Sequence, residues 1–182
     1  PARLENTSTA ITNFATNAAG SSTNDEDGLV TSDSFTAVYY PWGSSTDLAG
    51  NNVFVPPSHM ILRTLAVNDD VAFPWFAPAG IRRGVVDNAT SVGFIKSSTG
   101  EKQTIAVSSG IRDTLQSNRM NPISFLTGSG LTVFGQKTRH SGTSALDRVN
   151  VARLVVFLRT QLDKLAQPFI FEPNDELTRN EI

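Results

Sequence analysis

Residues 135–179 read GQKTRHSGTSALDRVNVARLVVFLRTQLDKLAQPFIFEPNDELTR, and the architecture turns on this stretch. Ser144 with Asp147 three residues later is the pattern in which a hydroxyl and a carboxylate satisfy orphan backbone donors at a helix start, and Pro168 cannot continue a helix. The interval predicts one long C-terminal helix over about 146–167, roughly 33 Å long at 1.5 Å per residue. Val151, Val155, Leu158, Leu162 and Leu165 recur at spacings of 4, 3, 4 and 3. Val149, Ala152 and Val156 form a second apolar strip nearly opposite, so the first half of the helix is expected to be covered on two sides. Phe157 falls outside both strips among charged neighbours. An aromatic so placed marks contact with another domain or subunit, or packs beneath a loop of its own domain.

Upstream, 1–28 is a polar segment rich in Asn, Thr, Ser, Ala and Gly, with too few large apolar side chains to offset the entropy of ordering. It is expected to be a flexible lead-in, or a strand that orders only against a partner, with a single domain over 29–182. Residues 35–40 alternate as a strand stopped by Pro41, followed by a polar loop to Asn52 and a short strand at 53–55. Ser58 opens a short helix ending near Asn68. The segment Phe73-Pro74-Trp75-Phe76-Ala77-Pro78-Ala79-Gly80 is too proline-rich for a paired strand and reads as a buried irregular connector. Strands follow at 85–86, 93–95 and 104–107, the latter two a hairpin, then a short helix over 109–118. Strands at 121–126 and 131–134 and a last one at 169–171 complete the chain. The sum is an α+β fold, a mixed sheet of about five to six strands covered by helices with the long one as main cover.

Composition narrows the function. At 182 residues the chain can bury roughly 70% of its unfolded surface, enough for a core without staples. It has no cysteine, which excludes disulfides and thiolate metal sites and suits a reducing cytoplasm. A net charge of −2 lacks the cationic excess that nucleic acid requires, and no apolar run approaches the ~20 residues of a membrane span. The sequence begins with Pro1 and stops soon after Asn174, which is placed to open another helix, so it reads as a fragment of a longer protein.

Three near-motifs suggest chemistry and fall short of it. Residues 130–138 nearly spell a phosphate loop, but Gln136 separates Gly135 from Lys137, and Leu131 to Phe134 alternate like a strand. Ser144 sits as in a nucleophile elbow, but Leu146 occupies the closing glycine position, and His140 lacks an evident strand-borne acid to orient it. Asp25-Glu26-Asp27 and Asp69-Asp70 lack the alternation of a calcium loop. The residues therefore point to no catalytic site, no cofactor and no metal.

The order ALDRVN, helix, FIFEPND resembles the contractile tail sheath proteins of bacteriophages. Five further segments, Tyr39-Tyr40-Pro41-Trp42, Val55-Pro56-Pro57-Ser58, Ala77-Pro78-Ala79-Gly80, Asn121-Pro122-Ile123 and Val133-Phe134-Gly135-Gln136-Lys137-Thr138, follow the same family order, and together the matches span 39–179. The resemblance implies a structural subunit without enzymatic activity, the tube-proximal core domain of a sheath. Such subunits stack in six-fold rings around a tail tube and contract to drive the tube through the host envelope. It implies neighbouring sheath subunits, the tail tube protein and the baseplate as partners, and a place in the virion after synthesis in the host cytoplasm. The sheath of a related bacterial injection machine is the alternative, and a small α/β nucleotide-binding or hydrolase domain a remote one. The resemblance puts its weight on Pro78, Ala79, Gly80, Gly135, Thr138, Leu146, Asp147, Arg148, Asn150, Phe171, Glu172, Pro173, Asn174, Thr178 and Arg179, as scaffold and assembly positions, with Asp147 or Glu172 paired to an arginine of the junction. Family members carry terminal arms missing here, so the isolated fragment is expected to be monomeric.

Overall fold

A computed structural model describes residues 3–16, 33–176 and 179. Among the described residues, seven strands divide into two sheets: β1 (Val38–Tyr40), β6 (Met120–Leu126) and β7 (Gly130–Val133) form one, and β3 (Asn52–Val55), β2 (Trp42–Thr46), β4 (Ser91–Ile95) and β5 (Lys102–Thr104) the other. In the first, β1 runs parallel to β6 and β7 antiparallel to it, while the second is antiparallel throughout. The α+β class with mixed pairing and a long C-terminal helix stands. The expected single sheet is instead split, because the chain bends at Pro41 and passes directly from β1 in one sheet to β2 in the other.

Residues 43–52 are a hairpin rather than a polar loop. The Asp47 carboxylate accepts from the backbone N–H groups of Ala49 (2.9 Å) and Asn51 (2.8 Å) and closes the turn locally, and Gly50 supplies φ +84°. Gly43 is required by packing: a Cβ there would lie 2.4 Å from Met60 Sδ on α2 (Pro57–Val71), the helix laid across this sheet. That helix starts at Pro57 without a side-chain cap and runs past Asn68 to Val71. At 85–86 there is only a bridge from Val85 to Thr132, and 169–171 is no strand, since Gln167–Phe169 form a 3-10 turn. Pro168 fixes its own φ and denies the segment one ladder donor.

Two clusters make the core. One joins Leu4, Ile11, Phe14, Tyr40, Leu115 and Met120; the other joins Met60, Ile61, Val86, Val92, Ile123, Leu131 and Val133. Alternation along β1 puts Tyr40 in the first and Tyr39 against the second, so this short strand ties them together. Within 1–28, residues 8–16 are helical, which corrects the flexible reading there; 1–2 and 17–28 lie outside the described residues. The helix α1 (Ser8–Thr16) starts where Thr7 Oγ1 accepts from the Ala10 N–H, and buries Ala10, Ile11, Phe14 and Ala15 on one face. It packs on α3 (Ser109–Ser117), whose Leu115 is fully buried and whose first turn is capped by Ser108. Each large apolar side chain so buried contributes about 1.5–3 kcal/mol, which makes a segment with few of them foldable once α3 and β1 supply the other wall.

The helix α4 (Val149–Ala166) buries only Val149 and Ala152. Leu158, Leu162 and Leu165 of the periodic strip are exposed.

Candidate assembly site

The family-like residues gather where β7 hands the chain on to α4. Gly135 follows the strand because a Cβ would meet Asn121 Oδ1 at 2.9 Å and Pro122 Cδ at 3.0 Å. The fully buried Asn121 is the pin of this crossing. Its Nδ2 donates to the carbonyls of Val38 (3.1 Å) and Lys137 (2.8 Å), and its Oδ1 accepts from the Lys137 N–H (2.6 Å). One amide thus holds β1, β6 and the outgoing segment, a buried polar group worth keeping because every bond is made.

Beyond it, Lys137 and Arg148 form an antiparallel bridge, the Thr138 hydroxyl donates to the Leu146 carbonyl (2.6 Å), and the Thr138 N–H donates to that of Asp147 (2.9 Å). Val149 N–H donates to the Gln136 carbonyl (2.9 Å), which fastens the first turn of α4 to the end of β7. Ser144 caps, but it caps a 3-10 turn (Ala145–Asp147) through the Leu146 N–H, and α4 proper begins only at Val149. Asp147 is freed for pairing, with Lys137 Nζ at 2.7 Å and Arg148 Nε at 3.2 Å. The Lys137 hydrogen bond, aided by both cations, holds the Asp147 carboxyl below its ordinary value despite partial burial.

Pro78 is buried, Gly80 takes φ +79°, and its N–H donates to the Val133 carbonyl (2.8 Å). Ala79 and Gly80 thereby form one wall of a cleft of about 260 Å³ whose other wall is Gly135, Gln136 and Arg148. Gln136 and Asn150 each keep a buried side-chain oxygen without a partner, so the junction retains unused acceptors. Phe171, Glu172, Pro173 and Asn174 are not part of this junction; they are exposed past the end of α4, where Arg179 Nε donates to Asn174 Oδ1 (2.8 Å). Thr178 lies outside the described residues.

Phe157 packs on its own chain: its ring lies 5.3 Å from Trp75, which stacks on Phe73 at 4.8 Å. The connector 73–80 is therefore only partly buried, with Phe73 and Phe76 exposed. Arg153 on α4 reaches Asp69 on α2 at 2.7 Å, which commits one carboxylate of the Asp69-Asp70 pair to an ion pair. Asp25, Glu26 and Asp27 lie outside the described residues. The near-motifs are absorbed structurally, since Lys137 pairs with Asp147, Ser144 caps, and His140 Nδ1 lies 2.9 Å from Ser34 Oγ.

Sequence reasoning missed Arg139. Its guanidinium is buried and donates to the carbonyls of Asn118 (2.8 Å) and Ala15 (3.3 Å), at the C-terminal ends of α3 and α1, where a cation is favoured by the helix dipoles. Burial lowers the pKa of Arg139, and the Arg119 charge lowers it further. No local pattern announces such a residue, because both helix ends are distant in sequence.

The arrangement defines a class: an α+β core in which Asn121, Gly135, Thr138, Asp147 and Arg148 lie at the crossing from β7 to α4. It is the fold of contractile sheaths. The anti-feeding prophage helical sheath in its contracted state superposes with a TM-score of 0.68 at 26% identity, over 87% of this chain and 40% of that one. The tail sheath proteins of Vibrio phage KVP40 and Enterobacteria phage T4 are each 32% identical over 129 residues, 71% of this chain and 18% of theirs. The chain is homologous to a segment of the phage tail sheath protein and spans less than a fifth of those relatives' length. No protein-family model matches it.

Proposed function

We propose that the chain is the core of a contractile tail sheath subunit. In the full-length protein it stacks in six-fold rings around a tail tube, attaches to a baseplate and shortens to push the tube through the host envelope. It is a mechanical part of the virion, made in the host cytoplasm, and catalyses nothing. The supporting observation is the agreement of two independent likenesses, 32% identity to phage tail sheaths over most of the chain and a shared fold with a contracted sheath. Pro78, Ala79, Gly80, Gly135, Thr138, Leu146, Asp147, Arg148 and Asn150 serve in this reading to weld α4 to the sheet, so that the body moves whole and energy resides in contacts between subunits. The fold likeness to the anti-feeding prophage sheath also favours a second setting, a bacterial injection machine related to phage tails.

Electron microscopy of the full-length protein assembled with its tube tests this. Hollow striated cylinders are expected, and a dispersed protein that never associates with the tube would overturn the reading. The isolated 182-residue chain is expected to scatter light as a monomer at micromolar concentration.

A further inference from the structure

The helix α4 is made of two halves that meet at Phe157. The first half is tied to the body. The Val149 N–H donates to the Gln136 carbonyl (2.9 Å), Ala152 is buried, Arg153 Nη2 donates to Asp69 Oδ1 (2.7 Å), and the Phe157 ring lies 5.3 Å from Trp75. Beyond Phe157 every residue to Ala166 is exposed except the half-buried Gln161. The closest packing of α4 as a whole is with the turns Ala145–Asp147 and Gln167–Phe169 at its own two ends. Even the tied half bridges a cavity of about 260 Å³, walled in part by Phe35, Pro74, Val156 and Phe157, so its hold rests on the Phe157 and Arg153 side chains rather than on a filled interface.

The outer half has little of its own to keep it helical. Half of an 18-residue helix falls short of the ~12–15 residues below which isolated helices are marginal in water. Its end is unsealed, because Gln167 continues at φ −51° and ψ −45° where a left-handed glycine would satisfy the last carbonyls. Thr160 is β-branched, and its hydroxyl donates back to the Val156 carbonyl (2.9 Å), a bond that weakens and bends helices. Lys164 in the last turn suits the helix dipole, and Arg159 and Asp163 stand four apart, but in the less favourable order.

We propose that α4 carries an order–disorder device with its stop at Phe157. Residues 158–166 pass between helix and coil while the body stays folded, and the Trp75–Phe157 and Asp69–Arg153 contacts set how far melting runs back toward Val149. Helix growth is cooperative, so whatever orders the outer half also tightens these two contacts, and loosening them melts more of the helix. The free end of α4 is thereby coupled to α2 and to the 73–80 connector. The device belongs to this chain and stands apart from the sheath reading.

Amide hydrogen exchange followed residue by residue by NMR on the 182-residue chain tests it. The amides of 153–157 are expected to exchange at least tenfold more slowly than those of 162–166, whose acceptors all lie beyond the stop. Phe157→Ala is expected to speed exchange at 153–157 at least tenfold, although alanine is the better helix former, while the amides of β6 keep their rates and report an intact body. Thr160→Ala, which leaves both contacts in place, is expected to slow exchange at 162–166 by about threefold and at 153–157 by less. Even protection from Val149 to Ala166, a step that Phe157→Ala leaves where it was, β6 exchanging in step with α4, or an outer half unchanged by Thr160→Ala would each overturn the device.

Discussion

The helix α1 and the second half of α4 invert each other. The first comes from a polar stretch with few large apolar residues, and Ile11 is fully buried; the second carries a regular apolar strip, and Leu165 is 68% exposed. The difference lies in what stands opposite. α1 faces α3 and Tyr40, whose hydroxyl donates to the Leu4 carbonyl at 3.1 Å, and Arg139 fastens its end. α4 leaves the body after its first turns, held by the Gln136 and Lys137 bonds behind it and by Arg153 and Phe157 on one side. Periodicity reports that a helix has an apolar stripe, and says nothing of whether the same chain covers it.

The sharpest way to break this comparison is truncation in the two regions. Phe14→Ala in α1 is expected to cost about 3–5 kcal/mol in urea unfolding, and Leu115→Ala opposite it about 2–5 kcal/mol, by lost transfer and cavity formation. Leu165→Ala in α4 is expected to change stability by no more than about 0.5 kcal/mol. Equal losses at Phe14 and Leu165 would mean that α4 is covered within this chain after all.

A smaller effect is expected at the junction on which α4 depends. Asn121→Ala strands buried backbone groups of Val38 and Lys137, and a loss of about 2–3 kcal/mol is expected from the desolvation of unpaired donors and acceptors. Chemical denaturation reads it, and a loss below 1 kcal/mol would place the crossing's rigidity elsewhere.

Alkaline titration sharpens the same picture, because the only two tyrosines sit on the strand between the two core clusters. Burial pushes the Tyr39 phenol up to about 12 against a partial pull from Arg153, and burial likewise raises Tyr40, with Glu5 adding to it. A raised folded value means that the unfolded chain ionises first. The stabilisation is complete below the ordinary phenol value of 10.0 and is lost as pH climbs from there through about 12. Absorbance at 295 nm is expected to stay flat through pH 10 and rise together with unfolding. Early, non-cooperative ionisation of both rings would contradict their placement.

The smallest effect concerns Asp147, whose lowered value gives the opposite sign: its contribution is present above the ordinary carboxylate value of 3.8 and fades as pH falls through the lower folded one. Asp147→Asn is expected to cost less than about 1 kcal/mol at neutral pH, as for other partly exposed ion pairs, and to flatten the acid limb of the stability profile.

Much of the site was legible and its role was not. Gly135, Thr138, Asp147 and Arg148 could be singled out from motif order, yet only the structure brings Ala79 and Gly80 across from far upstream to face Gly135 and Arg148. Arg139 carried no local signal, and the Asn121-Pro122-Ile123 segment stood out by motif order without showing what Asn121 holds, because each side chain bonds backbone groups far away in the chain. Residues 43–52 looked like a loop since Gly, Asp and Asn have low strand preference, and pairing with β3 and β4 overrode that preference.

Local order along the chain was enough to establish the α+β class, the long helix, the β6–β7 hairpin and the family likeness, because those features depend on spacing, turn chemistry and motif succession, whereas the strand expected at 104–107 lies at Lys102–Thr104. Which apolar faces end up inside was decided only in three dimensions. Burial is a property of pairs of surfaces, and the partner of α1 lies about 100 residues downstream in α3, at the distance in sequence over which the Ser8 and Thr114 hydroxyls meet.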